Sequence, residues 1–140
     1  MRVKILMVDD HPALLEGNKA LLQLGKENYE LDVSVAYNCK EAFTAITEAS
    51  AHEIIDVLFL DYSLPPFPEE KIFNGLDLGV LARKHLPNVK IFMITSHDDG
   101  IRLYNIVKKI QSNALLVKSE YKPQDLPSAF QKVIDRKSVV

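Results

Sequence analysis

Five residues of this chain have the types and positions to do chemistry together: Asp9, Asp10, Asp61, Thr95 and Lys118. Each follows or closes a short apolar run, ILMV before Asp9, VLFL before Asp61, KIFMI before Thr95 and ALLV before Lys118. Three carboxylates drawn to one place repel one another, so something must compensate their charge. Donors that are all oxygen suit a hard cation, and a small number of them suits Mg²⁺, which keeps several waters. Three carboxylates, one lysine and one divalent cation sum to zero, and such a site can take a phosphoryl group. The lysine and the cation would neutralise its oxygens, and the Thr95 hydroxyl would donate to one of them. A carboxylate can itself be the nucleophile and become an aspartyl phosphate. Asp61, alone at the end of its run, is the best placed for that role. Taken singly, each residue has a plainer reading, such as Asp10 as a helix cap or Lys118 as a solvated side chain. Their coincidence at one edge is what outweighs it.

That edge depends on the elements that position it. Short, nearly continuous apolar runs at Val3–Val8, Leu31–Ala36, Ile54–Leu60, Lys90–Thr95 and Ala114–Val117 read as strands buried on both faces. Between them lie segments of helical period. One starts at Asp10-His11-Pro12 and ends near Leu24. Another opens with the capping-box spacing Asn38 to Glu41. The third covers Leu76–Leu86, before Pro87, and the fourth Ile101–Ile110, with Leu103, Ile106, Val107 and Ile110 on one side. The last shows Leu126, Ala129, Phe130 and Val133 at i, i+3, i+4 and i+7. Five βα units in a row imply an α/β fold, one doubly wound domain over residues 1–140 with a five-stranded parallel sheet. Ligands of open α/β sheets bind beyond the carboxyl ends of the strands, where strand order reverses. Strand two delivers no reactive group there, as expected of an edge strand.

Composition narrows the classes. The 140 residues are 47% hydrophobic and 26% charged, which suits one soluble globular domain and excludes a disordered or collagen-like chain. The 17 Lys and Arg nearly balance the 19 Asp and Glu, for a net charge of −2, which offers no field for nucleic acid or an anionic membrane. No apolar run approaches membrane-spanning length, and the first one ends at Asp9-Asp10 without a cleavage site. A single cysteine, Cys39, precludes an intrachain disulfide and suits a reducing compartment, so the expected location is the cytoplasm.

The runs ILMVDDHP at 5–12, VLFLDYSLP at 57–65, MITSHDD at 93–99 and LLVKS at 115–119 resemble the receiver domains of bacterial two-component response regulators, the CheY-like family. The likeness covers nearly the whole chain. It implies a flavodoxin-like sheet with strand order 2-1-3-4-5. It implies that Asp61 accepts a phosphoryl group from a phosphohistidine of a sensor histidine kinase. It also implies that Asp9, Asp10, Asp61 and the backbone carbonyl of Ser63 hold Mg²⁺, and that Thr95 and Lys118 contact the phosphoryl oxygens. The protein would then be a phosphorylated signalling domain rather than an enzyme of sustained turnover. The run Asp-Asp-His-Pro with Leu-Leu-Glu-Gly after it most resembles receivers that precede LuxR/NarL-type DNA-binding domains. No output domain is present in these residues, so DNA contact would come only through one elsewhere. A homodimer would be a natural partner of the switched face.

Two departures from that family bear on function. The position three before Lys118, usually Tyr or Phe in the family, is Leu115. The stretch Leu64–Gly75 after Asp61 is several residues longer than usual and carries Phe67, Ile72 and Phe73. It reads either as a docking or lid segment or, preferably, as a loop packed back onto its own domain. Leu115 motivates an alternative, an unphosphorylated pseudo-receiver that acts only as an interaction module. A phosphatase fits less well, because its two acids would stand two residues apart and here they adjoin. A flavin site fits less well, because it wants hydroxyls and glycines after strand one. His11 and His97 lie near the expected site, and a histidine ligand would point to a transition metal, but the acidic, sulfur-free surroundings favour Mg²⁺. His52 and His85 read as surface residues. Cys39 reads as an inert small residue, and Tyr104 either as a surface contact or as a partial substitute for the missing aromatic.

Overall fold

The computed structural model describes residues 2–25, 30–52, 54–96 and 100–135. Five parallel strands run in chain order as β1 (Arg2–Val8), β2 (Glu30–Ala36), β3 (Val57–Asp61), β4 (Lys90–Thr95) and β5 (Ala114–Val117). They lie in the order β2-β1-β3-β4-β5, so the direction of winding reverses beside β1 and β3. Five helices alternate with them: α1 (Pro12–Gly25), α2 (Cys39–His52), α3 (Gly75–His85), α4 (Gly100–Ile110) and α5 (Leu126–Asp135). This is the expected doubly wound architecture, strand order included.

Alternation along the central strands divides the core in two. Leu6, Leu58, Leu60, Ile91 and Met93 face α2, α3 and α4, and meet Ile46, Leu78, Ala82, Ile106 and Ile110. Ile5, Met7, Val57, Phe59 and Phe92 face α1 and α5, and meet Leu15, Leu22 and Phe130. Phe59, Phe92 and Phe130 stack there, with centroids 4.6 Å apart for the first pair. Each such buried ring contributes on the order of 2–3 kcal/mol from area alone. Both faces of β3 are covered, which is why its sequence is unbroken in apolarity.

Where the structure departs from the sequence reading, the causes are local. Strand three begins at Val57, not Ile54, and Ile54 is exposed. Asp56, just before Val57, turns its carboxylate to accept the Lys4 N–H at 2.8 Å. The capping of α2 is shared: the Asn38 side chain accepts from the Glu41 N–H, whereas the Glu41 carboxylate reaches past Asn38 to the Tyr37 N–H. Helix α3 begins at Gly75, with the Asn74 side chain capping Asp77 N–H at 2.9 Å. The side chains of Leu103 and Val107 lie outside the described residues, as does that of His52.

Arg83 ties the far end of the α2–α4 layer together. Its guanidinium donates to the carbonyls of Val89, Ile110 and Gln111 and to the Asn113 side chain, which in turn accepts the Ile91 N–H. Gln111 sits in the left-handed region at φ 49°, which turns its carbonyl toward that grip. Burial lowers the guanidinium pKa from its ordinary value.

Candidate functional site

The carboxyl ends of β1, β3, β4 and β5 bring the expected residues to one edge. Asp61 is the last residue of β3 and is 2% exposed. Its Oδ2 lies 3.3 Å from the Lys118 Nζ, just past β5. Lys118 is itself held by its backbone N–H on the Thr95 carbonyl, at 2.7 Å. Thr95 closes β4 and is fully buried. Asp9 follows β1, is 5% exposed, and donates its N–H to the Ala36 carbonyl. Asp10 stands at the entry to α1 with its side chain one-third exposed.

One ligand atom from each of Asp9, Asp10, His11 and Asp61 falls within 4.8 Å of the others. The Oδ1 of Asp10 is buried and has no hydrogen-bond partner. A buried carboxylate oxygen left without a donor is costly unless a cation completes it. The acids also act on one another. Burial, then the charge of Asp9, raises the Asp61 pKa from its ordinary value, and Lys118 and the Ser63 N–H oppose that rise. The donor set therefore fits a small divalent cation, with Asp9, Asp10 and Asp61 as its carboxylates. The exposed residue Ser63 begins the loop beyond Asp61.

His11, which the sequence reading put near the site, and Tyr121 and Asn18, which it missed, have a part here. The His11 N–H and its Nδ1 both lie 2.9 Å from Asp9 Oδ1. That hydrogen bond, then the charges of Asp10 and Asp9, raises the imidazole pKa from its ordinary value. Tyr121, between β5 and α5, is half-buried and hydrogen-bonded with Asn18, a buried residue of α1. Burial, then the charge of Asp9, raises its phenol pKa from its ordinary value. Tyr104 is exposed under Lys108 and is therefore a surface contact. Leu115 packs half-buried against the α2–α4 core. His97 lies outside the described residues.

The long loop after Asp61 packs back onto the domain. Phe67 and Ile72 form an antiparallel bridge around a single 3₁₀ turn, Pro68–Glu70, closed by Lys71 at φ 59°. The Phe67 ring meets the edge of Phe43 on α2 at 5.5 Å, with the Lys40 ammonium over it. Ile72 is buried and Phe73 remains exposed. The Pro65 carbonyl accepts the Cys39 N–H, and Cys39 is wholly buried with its thiol pushed up to about 11, chiefly by that burial. A thiol buried and held neutral agrees with the reading of Cys39 as an inert small residue.

Residues 5–131 match the response regulator receiver domain family. Among curated proteins, the transcriptional regulatory protein LnrK of Bacillus subtilis is 31% identical over 115 residues, which are 81% of this chain and 46% of that protein. The response regulator protein VraR of Staphylococcus saprophyticus is 25% identical over 140 residues, 99% of this chain and 60% of that protein. The chain thus spans about half the length of these relatives. Among solved structures, a response regulator receiver domain protein from Clostridium thermocellum superposes with a TM-score of 0.75 at 26% identity, covering 98% of both chains. A CheY-like receiver domain protein from Methanospirillum hungatei gives 0.76 at 24% identity, over 97% of this chain and 96% of that one. With its sheet order, its acidic edge and a family match across nine-tenths of its length, this chain belongs to the response regulator receiver domains of two-component systems.

Proposed function

We infer that the chain is one phosphoacceptor receiver domain over residues 1–140 and that Asp61 is the acceptor. The observation that carries this is the placement of Asp61: buried at the end of the central strand, 3.3 Å from Lys118 and grouped with two further carboxylates. In the reaction a carboxylate oxygen of Asp61 attacks the phosphorus of a phosphohistidine on a sensor kinase. The new P–O bond forms as the P–N bond breaks, and the electron pair leaves with the imidazole. Lys118 pairs with a transferred oxygen, and the Thr95 hydroxyl donates to another. Asp9, Asp10, Asp61 and the Ser63 carbonyl hold Mg²⁺, which when bound supplies positive charge against the phosphoryl oxygens.

Phosphorylation then biases two arrangements of β4, β5 and their loops, which changes affinity for a second copy or another partner. Relatives carrying the name of transcriptional regulators support an output on transcription. Any DNA contact is made by a part of the protein outside this domain, whose net charge of −2 provides no attraction for a polyanion. The setting is the cytoplasm, where the kinase's phosphohistidine is made. No helix among the described residues is long and apolar enough to cross a membrane.

One observation favours a second reading, a passive pseudo-receiver: Leu115 in place of the family's aromatic leaves that part of the readout without its usual side chain. Incubation with Mg²⁺ and a small phosphodonor, followed by intact mass, separates the two. The expected result is one added phosphoryl group that is lost in Asp61→Asn and without the metal. No adduct with either the donor or a phosphorylated kinase would favour the passive module.

A further inference from the structure

Helix α1 carries a polar residue within its buried apolar stripe. Leu15, Asn18 and Leu22 form that stripe, and Asn18 is 3% exposed. A carboxamide at such a position is costly unless it is hydrogen-bonded, and an apolar side chain would suit the stripe better. The Asn18 side chain is hydrogen-bonded to that of Tyr121, which packs against the core shared by α1 and α5. Tyr121 in turn is joined to Lys118 by a closed turn. The Lys118 N–H donates to the Thr95 carbonyl at 2.7 Å, and the N–H groups of Glu120 and Tyr121 both donate to the Val117 carbonyl, at 2.9 and 3.2 Å. One side-chain contact therefore links two sides of the site. On one side is α1, which follows Asp9 and Asp10, and on the other is the turn that brings Lys118 to 3.3 Å from Asp61.

We propose that Tyr121 is a positioning residue for phosphoryl transfer: held by Asn18, it braces the turn after β5 and so fixes where the Lys118 ammonium stands relative to Asp61. The proposal rests on the reading of Asp61 as the phosphoacceptor and deepens it by naming what aims the lysine. The lysine is a point charge on a flexible four-carbon stem, so its aim depends on where its backbone is set. A small displacement of a group that meets the transition state costs rate out of proportion to its cost in stability. Asp9 follows β1 and Asp61 ends β3, so the carboxylates keep their places without the brace. Its effect therefore falls on the phosphoryl side of the site.

The test labels the full chain with acetyl phosphate at saturating Mg²⁺, reads the rate by intact mass, and reads Mg²⁺ affinity by titration calorimetry. Tyr121→Phe removes only the hydroxyl, and Asn18→Leu replaces the amide with the side chain its helix neighbours carry. The expected result is a labelling rate about three- to tenfold lower in each. The double variant should be no slower than either, because both break the same contact. Mg²⁺ affinity should stay within about twofold of wild type, a split that general loosening of the fold would not produce. In a Lys118→Ala background, Tyr121→Phe should leave the residual rate unchanged. A wild-type rate in Tyr121→Phe overturns the proposal, as does an equal loss with and without Lys118, or a parallel loss of Mg²⁺ affinity. If Lys118→Ala takes no phosphoryl group, the Asn18 and Tyr121 cycle and the Mg²⁺ comparison decide. If the wild type itself takes none, the acceptor reading falls and the positioning role falls with it.

Discussion

A β-carbon on Gly75 would lie 2.1 Å from the carbonyl oxygen of Asp61. The first residue of α3 therefore presses against the backbone of the proposed acceptor, and its N–H donates to the Tyr62 carbonyl at 2.8 Å. Glycine is required there by this approach, since no glycine in the described chain has a positive φ. Gly75→Ala should force the loop or the end of β3 to shift, at a cost of about 1–3 kcal/mol. Urea unfolding reads the stability, and phosphoryl transfer to Asp61 should slow in step. A variant of wild-type stability would show that the loop yields without effort.

Asp61→Asn should stabilise the protein at neutral pH. Burial, then the charge of Asp9, lifts the folded pKa of Asp61 above its ordinary value of 3.8. Between those two values the folded state binds more protons than the unfolded, so stability falls as pH rises through the window. Above the folded pKa the whole penalty of the buried charge is present, and asparagine removes it. The expected gain is about 1 kcal/mol, roughly 3 °C in Tm, and it should vanish as pH falls to the unfolded value. A lower Tm at pH 7 would mean that Lys118 more than repays the burial of Asp61.

A divalent cation should raise Tm, because it binds only where folding has gathered the three acids. At ten times its Kd the stabilisation is about 1.4 kcal/mol. Scanning calorimetry with and without Mg²⁺ checks this, and Asp10→Asn should respond much less than wild type.

Cys39 should resist thiol reagents until the protein unfolds. It is wholly buried and its thiol sits at about 11, so the native protein holds almost no thiolate at pH 8. Labelling by a disulfide reagent should follow global unfolding in urea. Rapid labelling of the native protein would reveal an opening of the loop that covers the start of α2.

The strands were legible because both faces of the sheet are covered, so apolar runs such as VLFL end where the backbone leaves the core. The acidic edge was legible for the same reason, since each reactive residue follows such a run. Ile54 misled because an apolar residue beside a strand reads as part of it, whereas backbone bonds to the neighbouring strands begin at Asp56, with Lys4 and Lys90. The Phe67–Ile72 bridge depends on the left-handed Lys71 and on Phe43 of a different element, neither of which has a local pattern. Tyr121 and Asn18 lie on distant parts of the chain, and their hydrogen bond exists only once α1 and the end of β5 are side by side.

Arg83 gives α4 a mechanical constraint. Its guanidinium holds the carbonyls of Ile110 and Gln111 at one end of the helix, and the other end begins at Gly100, five residues after Thr95 in the chain. With that grip intact, the held end would be a fulcrum for any movement of the helix under the proposed switching. Eleven residues span about 16 Å, so a swing of about 10° carries the Gly100 end through about 3 Å and leaves Ile110 nearly still. Under the proposed switching, what would pass from the buried carboxylates to the outer surface of the domain is an angle, with its greatest travel at the Gly100 end.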